Sequence, residues 1–300
     1  MGRVIVGIIL LSTGGVLGLC LAVVGVGLVL SSPVPRVIGA PPSALATAEA
    51  VEIPSASGSV LHGWWVAGAG AGSGAVVLLH GVRGNRLQMV ARARVLSEHG
   101  FGALLIDMQA HGESPGRRIT FGKLEALDAA AAVRFVRDRA PGARIGAIGT
   151  SLGGAALVLG AEPLPIDALV LESVYPDIAA ALTNRLRVGL GPLAGPVFTP
   201  VLTSLFQKLM PPLLDVQPDD LRPVDQVWKQ QAAIMIASGT EDSSTPLSEA
   251  QDLFAHAREP KQFWAVNGAG HVDLEQYDPE QYWSVVLPFL TRELRRMPRP

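Results

Sequence analysis

The chain has 300 residues, of which 49% are hydrophobic, and a formal net charge of −2. That length suits one large α/β domain with an appendage, and a near-neutral balance without long charge runs argues against nucleic acid as a partner. Its single cysteine, Cys20, leaves the rest of the chain without an internal disulfide, a thiol nucleophile or a cysteine metal site.

No charged residue occurs from Val4 to Pro35, and Val4 to Leu30 is almost wholly apolar. This exceeds the roughly 20 residues that cross a bilayer as a helix, so residues 1–36 are expected to form a transmembrane anchor. A cleaved signal peptide is the rival, although its apolar region usually runs only about 7 to 15 residues. Leu19, before Cys20, is too bulky for a lipoprotein signal. Gly14 and Gly18 form a G-x-x-x-G that could pack two such helices, but glycine is frequent throughout the chain. Arg3 and the amino terminus flank one side and Arg36 the other, a slight bias towards an amino terminus inside and the main domain outside. Ser31 to Ala48, rich in Pro, Ser and Ala, reads as an exposed spacer, with residues 37–48 as the linker proper.

The main domain is assigned to residues 49–300. Ala50–Pro54 and Val60–Val66 read as two antiparallel strands around Ser55-Ala56-Ser57-Gly58. Ala75–Leu79 is a continuous apolar run, the signature of a strand buried on both faces of a parallel sheet. A helix from Leu87 to His99 follows, stopped by Gly100, then a buried strand Ala103–Ile106. After a polar loop, Thr120 is expected to cap a helix from Phe121 to about Arg139. Further strands are expected at Arg144–Ile148, Asp167–Leu171, Ala233–Ala237 and Gln262–Val266, with helices near Leu247–Arg258 and Pro279–Arg296. Buried strands alternating with helices define an α/β fold with a mainly parallel sheet, whose functional loops lie at the carboxyl edge.

About sixty residues separate the strands ending at Leu171 and starting at Ala233, far beyond an ordinary connection. Val174–Leu214 is apolar and helical in pattern, with breaks at Gly191-Pro192, Gly195-Pro196 and Pro211-Pro212. It reads as a helical lid, inserted at about residues 174–225, with a plain packing insertion as the alternative.

Gly149-Thr150-Ser151-Leu152-Gly153-Gly154 joins an apolar strand to a buried helix. A serine in so sharp a turn needs small residues two positions away on either side, and Gly149 and Gly153 supply them. A serine nucleophile also needs a base, and the base an orienting acid. In the chain order that accompanies G-x-S-x-G, the acid comes next and the histidine last. Asp242, in the loop after the strand ending at Ala237, is the candidate acid, with Glu241, Asp273 and Glu172 as alternatives. His271, after Gly268-Ala269-Gly270, is the candidate base. His62, His99 and His256 lie in a strand or on helices, while His80 and His111 precede Ser151 and are expected to fix loop geometry. An oxyanion hole needs two backbone N–H donors, for which Leu152 and Val82 are placed. Arg83 and Arg86 lie nearby, either able to meet an anionic substrate but more simply read as solvated.

Together His80-Gly81-Val82-Arg83-Gly84-Asn85, Asp107-Met108-Gln109-Ala110-His111-Gly112-Glu113-Ser114, Gly149 to Gly154, Gly239-Thr240-Glu241-Asp242 and Gly270-His271 resemble the α/β-hydrolase superfamily. The nearest likeness is to its serine-aminopeptidase, monoacylglycerol-lipase and lysophospholipase-like branch, over roughly Ala50 to Arg296. The resemblance implies an α/β-hydrolase fold with Ser151 as nucleophile, Asp242 as acid, His271 as base, and Val82 and Leu152 as oxyanion donors. The family usually has Arg-Gly-His-Gly where this chain has Gln109-Ala110-His111-Gly112, a departure in a structural loop.

The expected activity is a membrane-anchored serine hydrolase acting on a carboxylic ester or thioester, its partners a small or lipid-like acyl substrate and the membrane. Peptide hydrolysis and an inactive tethered scaffold are the alternatives. No metal or organic cofactor is required, and no phosphate loop or histidine cluster suggests one. The basic end, Arg292, Arg295, Arg296 and Arg299, could touch anionic headgroups, though a solvated helix end explains it as well.

Overall fold

The computed structural model describes residues 2–70, 72–271 and 273–295, with side chains from residue 14 onward. Arg296 and Arg299 of the basic end lie outside the described residues. The chain opens with helix α1 (Gly2–Leu30), a short strand β1 (Val34–Pro35), and strands β2 (Glu49–Pro54), β3 (Val60–Val66) and β4 (Ala75–Leu79). There follow α2 (Val90–Glu98), β5 (Gly102–Ile106), the short β6 (His111–Gly112), α3 (Lys123–Arg139), β7 (Ile145–Thr150), α4 (Leu152–Val158) and β8 (Ala168–Glu172). The insertion holds α5 (Ile178–Leu209) and α6 (Pro211–Leu214), and the chain continues through β9 (Ala233–Gly239), α7 (Leu247–His256), β10 (Lys261–Val266), α8 (Leu274–Tyr277) and α9 (Pro279–Leu294).

Among the described residues, eight strands make one sheet in the order β10-β9-β8-β7-β4-β5-β3-β2. All neighbours from β10 to β5 are parallel, and β3 runs antiparallel to β5 and β2. Side chains alternate across a strand. Val77 and Leu79 of β4 therefore enter the core shared with α3, α4 and α7, while Val76 and Leu78 enter the one shared with α2 and α9. A strand with a core on each face has no polar side, which is why β4 reads as an unbroken apolar run.

Several boundaries move for local reasons. The expected helix at Leu87 starts as a 3-10 turn, Arg86–Met89, capped by the Asn85 side chain accepting from Leu87 N–H, and becomes α-helical at Val90. The helix expected from Phe121 begins at Lys123, because Phe121 (φ 52) and Gly122 (φ 121) are left-handed and cannot start a right-handed turn. Thr120 still caps it, accepting from Leu124 N–H at 2.9 Å.

The segment expected to be an exposed spacer is largely exposed, but it is tied to the domain rather than free of it. Val34 and Pro35 pair with His111 and Gly112, and Glu113 accepts from the N–H groups of Ile38 and Gly39 at 2.9 and 3.0 Å. Leu45 is buried beside α2 and the inner strands. Composition suggested a loose linker, but backbone groups of Val34, Arg36, Ile38 and Gly39 found partners in the loop after β5 and Leu45 found the core, while Val37 stays exposed.

The insertion is a helical hairpin. α5 is long and apolar enough to cross a membrane, but Gly191, at φ 72 and ψ −178, breaks it into two arms. Thr183 Oγ1 and Thr203 Oγ1, on opposite arms, come within 3.3 Å. The break expected at Gly191-Pro192 is present; that at Gly195-Pro196 is not, since both residues stay helical early in the second arm, where a proline forfeits little. The hairpin packs against α1, with Val23, Phe206 and Met210 at the centre of a small cluster.

Candidate functional site

Strand β7 ends at Thr150 and α4 begins at Leu152, so Ser151 stands alone at the corner with φ 50 and ψ −110. Such a conformation costs about 1–3 kcal/mol and is held only by its surroundings. A Cβ on Gly149 would lie 2.5 Å from the backbone of Gly153 and Gly154, and one on Gly153 would lie 2.4 Å from the Leu79 carbonyl oxygen. Both glycines are thus demanded by close backbone approach, as the motif implied.

Asp242 follows β9 and is almost fully buried. One carboxylate oxygen accepts from the N–H groups of Ser244 and Thr245 at 2.9 and 2.7 Å, which aims the other at His271 Nδ1, 2.8 Å away. His271 leaves β10 through Asn267 to Gly270, its own loop braced where Gly268 N–H donates to Thr240 Oγ1 at 2.9 Å. Neighbouring parallel strands bring Ser151, Asp242 and His271 to one sheet edge. Ser151 Oγ and the His271 ring make no hydrogen bond here; in ligand-free sites such bonds are often long and tighten only in the Michaelis complex.

The two expected backbone donors border the same space. Leu152 occupies the first position of α4, where N–H groups have no intrahelical acceptor, and Val82 N–H has no acceptor among the described residues. Both line, with Ser151, a cavity of about 310 Å³. Its remaining walls are largely apolar, with Phe121 and Tyr175 below the hairpin residues Leu182 and Phe206. Among the described residues no acidic side chain lines it.

His80 and His111 hold the loop that carries Val82. His80 Nε2 accepts from Met108 N–H and His111 Nε2 accepts from Arg83 N–H, each at 3.1 Å. Both bonds require a neutral ring. Burial pushes the His80 pKa down to about 3, helped by the neighbouring His111, and burial also lowers that of His111. Arg86 is not solvated as expected, because Asp107 and Glu113 grip its guanidinium. Arg83 does reach the cavity wall, and its guanidinium donates to the Val29 carbonyl at 3.3 Å. Gln109 uses its amide to bond Glu125 at 2.6 Å and the Arg118 carbonyl at 2.8 Å, so the departure from the family's loop sequence is accommodated structurally.

The alternative acids are committed elsewhere. Glu172 is fully buried, accepting from Arg92 at 2.7 Å, Thr150 at 2.9 Å and the Tyr282 hydroxyl. Asp273 faces Arg92 at 2.7 Å, and Glu241 points to solvent. Two features escaped sequence reasoning. Arg92 is wholly buried, a role signalled only by its place at i+3 from Met89 in the apolar stripe continued by Ala93 and Leu96. Gly27 and Leu30 of α1 form part of the cavity wall, and no sequence pattern announced it. No group of three or more metal-ligating side chains occurs among the described residues.

The family model described as serine aminopeptidase, S33, matches residues 70–224. An uncharacterised protein of Mycobacterium tuberculosis is 31% identical over 252 residues, covering 83% of this chain and 81% of that one. A solved esterase of Pyrococcus furiosus superposes with a TM-score of 0.72 at 25% identity, over 88% of this chain and 98% of its own. A puromycin-hydrolysing peptidase of Mycobacterium tuberculosis shares the fold at 17% identity and a TM-score of 0.65, over 87% of this chain and 41% of its own.

Proposed function

Since the chain belongs to the serine aminopeptidase S33 family of α/β-hydrolases, we propose that this serine hydrolase is membrane-anchored and cleaves carboxylic esters or thioesters bearing lipid-like acyl chains. The observation that carries the chemistry is the 2.8 Å Asp242–His271 hydrogen bond on the sheet edge that holds Ser151 in its strained corner. Ser151 Oγ attacks the acyl carbon while His271 Nε2 takes its proton, and the carbonyl oxygen, now negative, accepts from Val82 and Leu152 N–H. Collapse of that intermediate breaks the bond to the alcohol or thiol, which leaves with the proton from His271. Water, deprotonated by His271, then attacks the acyl–Ser151 ester and releases the acid. Asp242 fixes the imidazole tautomer and supports its positive charge.

The apolar cavity favours an acyl chain over a polar substrate. Anchoring is supported by the charge-free stretch from Val4 to Pro35 and by the exposed apolar face of α1, including Val16, Leu17 and Leu21. The domain is assigned to the extracytoplasmic side on the slight charge bias of Arg3 and the amino terminus against Arg36.

Ser151→Ala is expected to abolish both fluorophosphonate labelling and turnover of p-nitrophenyl esters. Labelling that persists in the variant overturns the assignment. Aminopeptidase activity is the second reading, carried by the family's description and by the M. tuberculosis peptidase of like fold. Against it, the described residues of the cavity offer no carboxylate for a substrate ammonium group. Alanine and proline aminopeptidase substrates assayed beside acyl esters separate the two.

A further inference from the structure

The hairpin buries one side of each arm and leaves another uncovered. Leu193, Val197 and Val201 recur at every fourth position of the second arm, forming a single stripe, and are 91%, 65% and 52% exposed. Phe198 on the same arm and Val188 on the first arm are also exposed, each at 55%. From Val188 to Gln207 the chain carries no charge. Apolar side chains gathered so tightly on one feature are unlike the scattered exposed residues of an ordinary surface, and they signal a docking face.

The occupant follows from what stands beside the hairpin. Val23 packs in one cluster with Phe206 and Met210, and Met210 Sδ fills the space that a Cβ on Gly27 would need. Both α1 and the second arm therefore run side by side towards the domain, each ending at the cavity wall. Leu193 precedes Met210 by enough turns to stand about 25 Å further out at 1.5 Å per residue, on the side towards which the anchored reading extends α1. A hairpin packed on a membrane helix at Val23 and Gly27 and projecting that far beyond them meets the same medium.

We propose that the hairpin is a membrane-docking surface seated in the bilayer that α1 enters, and that acyl chains pass from lipid to Ser151 between α1 and the hairpin. The cavity is built for this route, since Gly27 and Leu30 wall one side and Leu182, Phe206 and Met210 the other. The inference rests on the anchored reading and adds the lid to the membrane-bound part.

The test uses the full chain in vesicles of phosphatidylcholine and phosphatidylglycerol, labelled with an environment-sensitive fluorophore at one cysteine at a time. The native Cys20 reports on α1; Val197→Cys or Phe198→Cys, in a Cys20→Ser background, reports on the hairpin; and Glu98→Cys, exposed on α2, serves as the aqueous reference. Hairpin labels are expected to be quenched several-fold more by spin-labelled lipid than by aqueous iodide, as at Cys20, with the reverse at Glu98. A shielded Cys20 with iodide-quenched hairpin labels overturns the docking while sparing the anchor; an iodide-quenched Cys20 overturns the anchor itself, and the docking with it. Hairpin labels shielded from both quenchers indicate a second copy as the occupant and likewise overturn the proposal. The double variant Leu193→Asp/Val197→Asp, which leaves the cavity wall intact, is expected to lose at least tenfold in turnover of a vesicle-borne long-chain ester while keeping its rate on soluble p-nitrophenyl acetate. Equal rates on both substrates for the wild type and the variant count against lateral access.

Discussion

Arg92 on α2 and Asp273, two positions beyond His271, are joined by hydrogen bonds of 2.7 and 3.1 Å although 181 residues separate them. The same guanidinium bonds Glu172, which in turn accepts from Thr150 beside Ser151. One buried cation thus ties the loop of the histidine to the strand of the serine. Removing one partner of a buried pair leaves the other charged and uncompensated, at a cost of about 3–5 kcal/mol. Arg92→Leu is expected to lose stability of that order in urea denaturation, whereas Asp273→Asn, whose site is partly exposed, loses less but lowers kcat by misplacing His271.

Gly153→Ala tests the corner. Its new methyl would meet the carbonyl oxygens of Leu79 and His80, both backbone atoms that cannot swing aside. Overpacking of this kind costs about 1–3 kcal/mol or more. Loss of fluorophosphonate labelling together with a lower denaturation midpoint is the expected outcome. Gly142→Ala, with open space around it but a positive φ, is expected to cost some stability and leave labelling intact.

Asp242→Asn separates orientation from fold. The two N–H groups of Ser244 and Thr245 can still bond the amide oxygen, but the amide nitrogen then faces His271 Nδ1 and favours the wrong tautomer. A fall in kcat of about 10³–10⁴-fold on a soluble ester is expected, by analogy with Ser-His-Asp enzymes in general, with little change in thermal midpoint. A fall of less than tenfold would reassign the acid.

The pH dependence of stability has a definite sign at His80. Its folded pKa, near 3, lies below the ordinary 6.5, so between those values the unfolded chain binds more protons and stability drops as pH falls. The contribution is fully present above about 6.5 and is lost progressively towards 3. Asp128 acts oppositely: burial raises its pKa to about 6 against hydrogen bonds from Ser55 and Ser57, so it favours the folded state below about 4 and loses that advantage as pH climbs through 6. Urea titrations from pH 4 to 7 are expected to show His80→Gln with a slope shallower by about one proton, and Asp128→Asn with a slope steeper by a similar amount. An unchanged slope in His80→Gln contradicts the buried neutral ring.

Much of the frame was legible in the chain because parallel strands buried on both faces cannot hide: Ala75–Leu79 has no polar side to show. The corner at Ser151 was legible for a related reason, since the close approach of Gly149 and Gly153 to other backbone segments forbids any side chain there. What stayed illegible depended on contacts distant in sequence. Residues 37–48 have linker composition, and only the position of Glu113 across the domain decides that their N–H groups are bound. The burial of Arg92 left no sequence mark beyond its helical spacing, because its three partners, Glu172, Asp273 and Tyr282, come from other elements. The limits of the hairpin were readable at Gly191 but not at Gly195, where the second arm was already under way.

The pairing of Val34 with His111, only a few residues after α1 ends, has a kinetic meaning. It leaves almost no slack between helix and domain, so in an anchored molecule Ser151 works at a fixed height above the lipid and cannot sweep the surrounding solution. Such an enzyme samples a surface: its rate would follow the mole fraction of substrate in the membrane and fall when inert lipid is added, even while the bulk concentration of substrate stays the same.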